Sequence, residues 1–404
     1  MITRNDIAIF LNSHDYDIRK TNNGRWLDQK VTYDVASMIA DCVLDYYLNN
    51  GNVEFTANDI WHSEFASINI LAIFNKPSLT EERMKNEYDK FFSQPLLFLA
   101  SSGVLKLDKR GTRNFFSIEN IDMLEYIASR DRNAYIFTEM YIEKVMTDSD
   151  LWQYFEAFFS EQSSEAYYAL KDKFSDFMRT HTPINGKLEP NRIFTKVLNP
   201  LAVKRRKLGT RRGRISKSTI SMSELRYNQE NFRDLNSKKP KDISRQAWLV
   251  ELKSSLNNSR TSYQISKAKS FMRKFNDTYR SSLSEHDDEW GNAKATHIHH
   301  IFPAYEFPEL SDTIENLMAL TPTQHLNKAH PDSQTSRINT DYQKKLLLSK
   351  IDNIEANIMG AVGDEPIYDF IQLVNVLETG FDTDLNVNYG DFDFLRSFIH
   401  KIYK

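Results

Sequence analysis

Several features that are common in secreted, membrane and nucleotide-driven proteins are scarce or missing in this sequence. The chain of 404 residues has one cysteine, Cys42. A single thiol excludes a disulfide framework and any zinc knuckle built on paired Cys-x-x-Cys motifs. No run of about 18 apolar residues is present, and the N-terminal stretch MITRNDIAIFLNSHDYD lacks the apolar core of a signal peptide. We therefore expect a protein of the reducing cytoplasm that has no membrane partner.

A Gly-rich phosphate loop ending in Gly-Lys-Ser/Thr is also missing. Its absence argues against ATP-driven translocation, so no nucleoside triphosphate partner is expected. The net charge of −3 is small and by itself predicts no nucleic-acid partner. The apolar fraction of 40% and charged fraction of 26% are ordinary for globular proteins, and the length suggests two or three domains.

The first part of the chain predicts helices followed by a hairpin. Apolar positions at helical spacing fill residues 30–50 and stop at Gly51, and Thr56 can cap a second helix. Residues 78–103 predict a third helix, and residues 104–118 predict two short strands around the turn DKRGTR. This order is typical of a winged helix-turn-helix, and the alternative is a small helical domain with a surface hairpin. Three basic side chains crowd the hairpin tip and are candidate DNA contacts: Lys109, Arg110 and Arg113.

A strongly basic segment interrupts the mildly acidic chain. Residues 192–217 contain ten Lys or Arg and no Asp or Glu. Glycines within KRRKLGTRRGR favour a loop or ribbon over a helix. Because uncompensated positive charges repel one another, we interpret the segment as a clamp on a phosphate backbone, with a solvated face as the alternative. The candidate contacts are Lys204, Arg205, Arg206, Lys207, Arg211, Arg212 and Arg214.

Candidate metal ligands occur in two places. The acidic stretch SEHDDEW, residues 284–290, is interpreted as a solvated turn, with metal ligation by its carboxylates as an alternative. Histidine is concentrated further along, where five of the ten histidines lie within residues 297–330. Neutral imidazole is a common ligand of divalent metals. These five residues are His297, His299, His300, His325 and His330.

The histidine-rich window predicts the order strand, loop, strand, helix. HIHHIFP forms a short strand that ends at a proline, and NLMAL forms a second strand. Thr321 can cap the following helix, with Pro322 at its first position. Adjacent strand residues point to opposite faces, so His299 and His300 do not both bind a metal easily. One can be a ligand while the other holds a water, and His297 is interpreted as structural or as a phosphate contact.

In these residues the window resembles the ββα-metal motif of HNH nucleases. That family has an Asp-His or His-His pair on the first strand, an Asn opening the second strand, and a His or Asn nine positions later. Here the positions are His299–His300, Asn316 and His325. The resemblance covers roughly a tenth of the chain, and HHIFPAYEFPEL and QHLNKAHPDSQT are similar to bacterial restriction endonucleases of this family. The paired cysteines that hold a structural zinc in many members are missing, so a helical scaffold is expected to support the motif.

The resemblance implies a role for each matched residue. His300 is the general base that accepts a proton from the attacking water, and an ordinary pKa near 6.5 would suit that role. His299 and His325 bind one divalent ion, with His330 as a candidate third ligand. Asn316 belongs to the catalytic motif without touching substrate, because its amide holds the loop beside the histidine pair. Mg²⁺ or Mn²⁺ is the expected ion, and histidine ligands also tolerate Co²⁺, Ni²⁺ or Zn²⁺.

These observations predict a predominantly helical α+β protein. The expected parts are a winged-helix-like domain (1–120), a helical domain (121–190), a basic DNA-contacting segment (191–245) and an HNH nuclease domain with a helical extension (246–404). The expected function is a restriction-type endonuclease that cuts double-stranded DNA to 5′-phosphate and 3′-hydroxyl ends. One module cuts one strand, so a homodimer is expected. The alternatives are a phage, mobile-element or defence nuclease that needs a partner, and a non-catalytic winged-helix regulator.

Overall fold

The chain is predominantly helical, as the sequence predicts. In the described residues its strands are short and form three separate antiparallel pairs. Two compact units are present, Ile2–Leu256 and Asn257–Lys404, and Met1 belongs to the second. The computed structural model describes residues 1–74, 85–186, 188–227, 245–330 and 338–403. Residues 228–244, part of the predicted basic segment 191–245, therefore lie outside the described residues.

The first unit is built from helices and two hairpins. Its helices are α1 (Arg4–Asn12), α2 (Ile18–Thr21), α3 (Tyr33–Asn50), α4 (Ala57–Trp61), α5 (Glu64–Phe74), α6 (Lys85–Ser101), α7 (Ile121–Ser129), α8 (Asp131–Asp148), α9 (Trp152–Glu161), α10 (Ser164–His181) and α11 (Leu188–Arg205). Its strands are β1 (Leu105–Arg110), β2 (Arg113–Ile118), β3 (Leu208–Arg211) and β4 (Arg214–Thr219), and a 3₁₀ turn follows at Met222–Leu225. Helix α3 packs against α7 and α8.

The predicted boundaries near the first hairpin are confirmed. Helix α3 ends at Gly51, whose φ of 76° suits glycine. The Thr56 hydroxyl accepts a hydrogen bond from the Asp59 amide and so caps α4. Strands β1 and β2 pair through a tight turn at Gly111, where φ is 62°. The order of helices and hairpin is therefore present in the described residues, while residues 78–84 of the predicted third helix lie outside them. The winged-helix interpretation stays a prediction.

The basic segment 192–217 is helical up to Arg205 and forms a hairpin from Leu208, so the prediction of a loop or ribbon is confirmed for most of KRRKLGTRRGR and wrong for the residues before it. Helix α11 continues to Arg205, because its apolar face is buried through residues such as Val197 and Leu201. The ribbon begins only at β3. There, Arg212 and Gly213 both have positive φ, which is the two-residue turn that matches strand twist.

The second unit carries the histidine-rich window on a helical scaffold. Its elements are α12 (Arg245–Tyr279, of which residues 245–256 belong to the first unit), β5 (His297–His300), 3₁₀ turns at Pro308–Leu310 and Ile314–Asn316, β6 (Leu317–Leu320), a π-helix (Gln324–Ala329), α13 (Thr340–Ile358), α14 (Phe370–Phe381) and α15 (Phe392–Ile402). One apolar core joins these elements through Met272 of α12, Ile298 of β5, Met318 of β6, and Leu346 and Leu377 of α13 and α14. The predicted order of strand, loop, strand and helix is present.

The acidic stretch 284–290 is only partly solvated, so its interpretation as a solvated turn is wrong. Glu285 and His286 are buried. The Glu285 carboxylate accepts a hydrogen bond from the Ala319 amide and pairs with Arg280 and Lys350. The two cations neutralise the carboxylate inside the fold, and its hydrogen bond with the Ala319 amide holds strand β6 in place.

Within the residues that the structure describes, no helix has the length and apolar character needed to cross a membrane.

Candidate metal centre

Strand pairing decides which histidines share a face. In the antiparallel register of β5 and β6, His299 lies opposite Met318 and His300 opposite Leu317. Alternation along a strand puts His297 and His299 on one face and His300 on the other. His299 is buried, with 3% of its surface exposed, whereas His300 is half-buried. The adjacent histidines therefore have separate environments, as the sequence suggests.

The helix after β6 begins with a reciprocal cap. The Gln324 amide donates to the Thr321 hydroxyl over 3.2 Å, and the Thr321 amide donates to the Gln324 side-chain oxygen over 3.1 Å. This is the capping-box arrangement, so the predicted role of Thr321 is confirmed. The Gln324 side chain also donates to the His286 carbonyl and the Asp288 carboxylate. The start of the helix is thereby tied to the preceding loop.

A π-helix brings the last two histidines of the window together. His325 and His330 are five positions apart, which does not match one turn of an α-helix. Residues Gln324–Ala329 form a π-helix, whose hydrogen bonds join residues five apart. His330 follows directly in extended backbone. The wider turn therefore allows His330 to lie beside His325, and π-helical turns occur frequently at functional sites.

Three imidazoles converge in this part of the fold. Each pair among His299, His325 and His330 has ring centroids 5.1 Å apart. One nitrogen from each ring lies within 4.8 Å of the others, so the three side chains could hold a metal ion. His299 and His330 are buried and His325 is half-buried. The donor set is three neutral nitrogen ligands, which suits divalent transition metals.

Burial keeps the imidazoles of His299 and His325 neutral. Burial, with smaller effects from His325, His330, His300 and Lys269, holds the pKa of His299 well below its ordinary value. Burial also lowers the pKa of His325 to about 4, helped by the neighbouring histidines and Lys269. Neutral imidazole is the form that binds metal. At neutral pH these two ligands are therefore ready to coordinate an ion.

His297 contacts the candidate ligand His325 directly. Their Nδ1 atoms are 2.9 Å apart, so one of the two nitrogens carries the shared proton. If His325 coordinates through Nε2, its Nδ1 must be the donor and His297 the acceptor. Metal-binding histidines commonly donate their second N–H in this way, which fixes the tautomer and the ring orientation. Sequence reasoning missed this contact, although His297 and His299 are two residues apart on a strand and so share a face.

His300 faces away from the three-histidine cluster and is oriented by the loop. Its Nε2 lies 2.8 Å from the Ser311 carbonyl oxygen, which can only accept, so Nε2 carries the proton. In the neutral ring Nδ1 then holds the lone pair and can accept a proton. Burial lowers the pKa of His300 to about 4, below the ordinary value expected from the sequence. His300 is therefore neutral at physiological pH and is a weaker base than a solvent-exposed histidine.

Asn316 joins the two ends of the loop between β5 and β6. Its side chain is fully buried. Its oxygen accepts from the Phe302 amide over 2.8 Å, and its amide group donates to the carbonyls of Phe302 over 2.9 Å and Leu310 over 3.2 Å. These contacts hold the chain that leaves β5 next to the chain that enters β6. They match the loop-fixing role that the resemblance implies.

In the first unit, part of the basic segment is neutralised by acidic residues from other elements. Lys204 pairs with Glu139 and Glu143, and Arg205 pairs with Glu143. Arg211 pairs with Glu224. The lack of Asp and Glu within the segment therefore does not mean that its charges lack partners.

Other basic side chains of this unit have no carboxylate partner among the described residues. On the second hairpin and the turn before it they are Arg206, Lys207, Arg212 and Arg214. On the first hairpin, Arg110 pairs with Glu54 and Asp108 and lies over the Phe115 ring, whereas Lys109 and Arg113 have no such partner in the described part of the chain. The unpaired cations are the stronger candidates for anion contacts.

Comparison of this chain with known protein families, curated proteins and solved structures gives no match.

Proposed function

We propose that this chain is a metal-dependent HNH-type endonuclease that hydrolyses phosphodiester bonds in double-stranded DNA. The observation that carries the proposal is one strand, β5, with two kinds of histidine. His299 joins His325 and His330 in a buried cluster of neutral nitrogen donors, while His300 on the other face offers a lone pair. The Asn316 contacts and the strand–loop–strand–helix order support it.

In this proposal each residue of the candidate metal centre and its loop has a separate role. His299, His325 and His330 would hold one divalent ion, and that ion would supply positive charge to stabilise the phosphate and the leaving 3′ oxygen. His300 accepts a proton from the attacking water at Nδ1, because its Nε2 hydrogen bond to Ser311 sets the tautomer. His297 orients His325, and Asn316 keeps the loop that carries Ser311 in place. The expected products have 5′-phosphate and 3′-hydroxyl ends.

Binding of DNA is assigned to the basic side chains of the first unit. The first hairpin and the preceding helices are proposed to act as a winged-helix-like reader, with Lys109 and Arg113 at its tip. The second hairpin would hold the phosphate backbone through Arg212 and Arg214, which have no carboxylate partner among the described residues. Phosphate contacts provide affinity without sequence information. A restriction-type endonuclease that works as a homodimer is the specific form that we propose.

A plasmid-nicking assay tests the proposal. Wild-type protein is expected to nick supercoiled DNA with Mg²⁺ or Mn²⁺, and excess chelator is expected to abolish nicking. His300→Ala should reduce single-turnover cleavage by about 10²-fold or more, while binding of DNA and metal persists. His181→Ala, a change on helix α10 of the first unit, is the matched control. Undiminished cleavage in chelator, or wild-type cleavage by His300→Ala, would contradict the proposal.

A further inference from the structure

Helix α12 brings two basic residues to the strand that carries the histidine pair. A guanidinium nitrogen of Arg273 lies 3.5 Å from the carbonyl oxygen of Thr296, the residue before β5. Lys269 is four residues earlier, so it is one turn away on the same face of the helix. Between them, Met272 is buried in the same core as Ile298 of β5. Four helical residues span about 6 Å, which is the length of about two strand residues. Lys269 is therefore within reach of β5.

The ammonium of Lys269 lies close enough to His299, His325 and His300 to contribute to the electrostatic environment of all three. It is among the smaller influences that lower the pKa values of His299, His325 and His300, after burial in each case. It therefore influences two candidate ligands and the candidate base together. Lys269 is half-buried, and no carboxylate pairs with it among the described residues. The lysine was not selected from the sequence, where it lies 30 residues before His299 in a polar helix.

A cation at this position is unfavourable for metal binding alone. A half-buried ammonium near three nitrogen ligands repels a divalent cation, and the repulsion is only partly screened away from bulk water. The arrangement becomes favourable when an anion is bound between the Lys269 ammonium and the metal ion. A phosphodiester has that charge, and both Lys and Arg bind phosphate oxygens.

We propose that Lys269 binds the substrate phosphodiester beside the His299–His325–His330 cluster, with Arg273 as a second contact further along the same strand of nucleic acid. This inference rests on the proposed nuclease function and adds a substrate-contacting residue to it. Lys269 would neutralise charge that develops on the phosphate during attack. It would also make binding of metal and binding of phosphate mutually favourable, because each reduces the electrostatic cost of the other.

The test compares Lys269→Met, Lys269→Arg and the control Lys274→Met. Lys274 is exposed on the same helix, and five residues of separation place it on a different face. The first measurement is the affinity for Mn²⁺ alone and in the presence of inorganic phosphate. In wild type, phosphate should tighten Mn²⁺ binding. In Lys269→Met, Mn²⁺ alone should bind as well as or several-fold better than in wild type, and phosphate should tighten Mn²⁺ binding several-fold less than it does in wild type.

The second measurement is single-turnover cleavage of duplex DNA. Lys269→Met should lose about 10²-fold, Lys269→Arg should retain most of the rate, and Lys274→Met should match wild type. Loss of Mn²⁺ binding in Lys269→Met would show that the residue only supports the fold and would overturn the proposal. Wild-type cleavage with unchanged coupling to phosphate would also overturn it, while leaving the nuclease function intact. Failure of wild-type protein to bind Mn²⁺ or to cut DNA would instead refute the nuclease function and this inference with it.

Discussion

The loop clamp made by Asn316 allows a prediction that is independent of catalysis. Asn316→Ala removes three hydrogen bonds to the backbone of Phe302 and Leu310 in a fully buried environment. A neutral hydrogen bond contributes about 1 kcal/mol net, and a buried group left without a partner costs about 1–3 kcal/mol. Part of that cost is relieved if the loop shifts. We therefore expect the free energy of unfolding of the second unit to fall by about 3 kcal/mol.

The assay is urea denaturation of the full chain, followed by hydrogen exchange in peptides from α13 and α14, which report on the second unit. With a slope of about 2 kcal/mol per molar urea, the midpoint should fall by about 1.5 M. Asn316→Asp should be at least as destabilising, because it keeps the acceptor for Phe302 but turns a carboxylate oxygen towards two carbonyls. The control is Asn386→Ala, since Asn386 is exposed in the same unit. Equal midpoints for Asn316→Ala and Asn386→Ala would refute the clamp.

Two further predictions concern the basic segment and the pH dependence of stability. Replacing Arg206, Lys207, Arg212 and Arg214 by Ala should weaken DNA binding and flatten the dependence of log K on log salt by about one unit per lost contact. Lys204→Ala with Arg205→Ala should change the slope less, because both side chains already pair with glutamates. Equal slopes for the two variants in a binding titration would contradict this distinction. The first four cations have no carboxylate partner in the part of the chain that the structure describes. For the metal-free protein, the folded-state pKa values of His300 and His325 are lowered to about 4, so below pH 6.5 the unfolded chain binds more protons. Stability should therefore fall as the pH decreases from about 6.5 towards 4. If the urea midpoint of the double variant His300→Asn/His325→Asn falls with pH as much as that of wild type, these two residues are not the cause.

The sequence was most informative where local rules are strong. The end of α3 at Gly51, the Thr321 cap and the turn between β1 and β2 each depend on residues within a few positions, and all three are present. The strand–loop–strand–helix order could also be predicted, because short apolar segments separated by turn residues have few alternatives. The prediction of a loop or ribbon was wrong for residues 192–205, because the basic residues there masked the apolar face that α11 buries.

Contacts between distant residues could not be predicted from local patterns. The carboxylate of Glu285 stands in an acidic stretch that looks solvated, but Arg280 and Lys350 neutralise it in the interior. In the same way, Glu139, Glu143 and Glu224 supply counter-charges to a segment that has none of its own. Such pairs form because folding brings together side chains from separate elements, and no spacing rule reports which ones meet.

The sequence by itself determined the chemistry that is available in the histidine-rich window: imidazoles on alternating faces of a strand, an asparagine before the second strand, and a histidine early in the next helix. The tertiary structure decided which of these groups act together. The π-helix brings His330 to His299 and His325, the Ser311 carbonyl sets the tautomer of His300, and α12 brings Lys269 to the same place. The physical reason is that ligand geometry, protonation and electrostatic coupling depend on distances of a few ångströms between elements, which only packing of the core establishes.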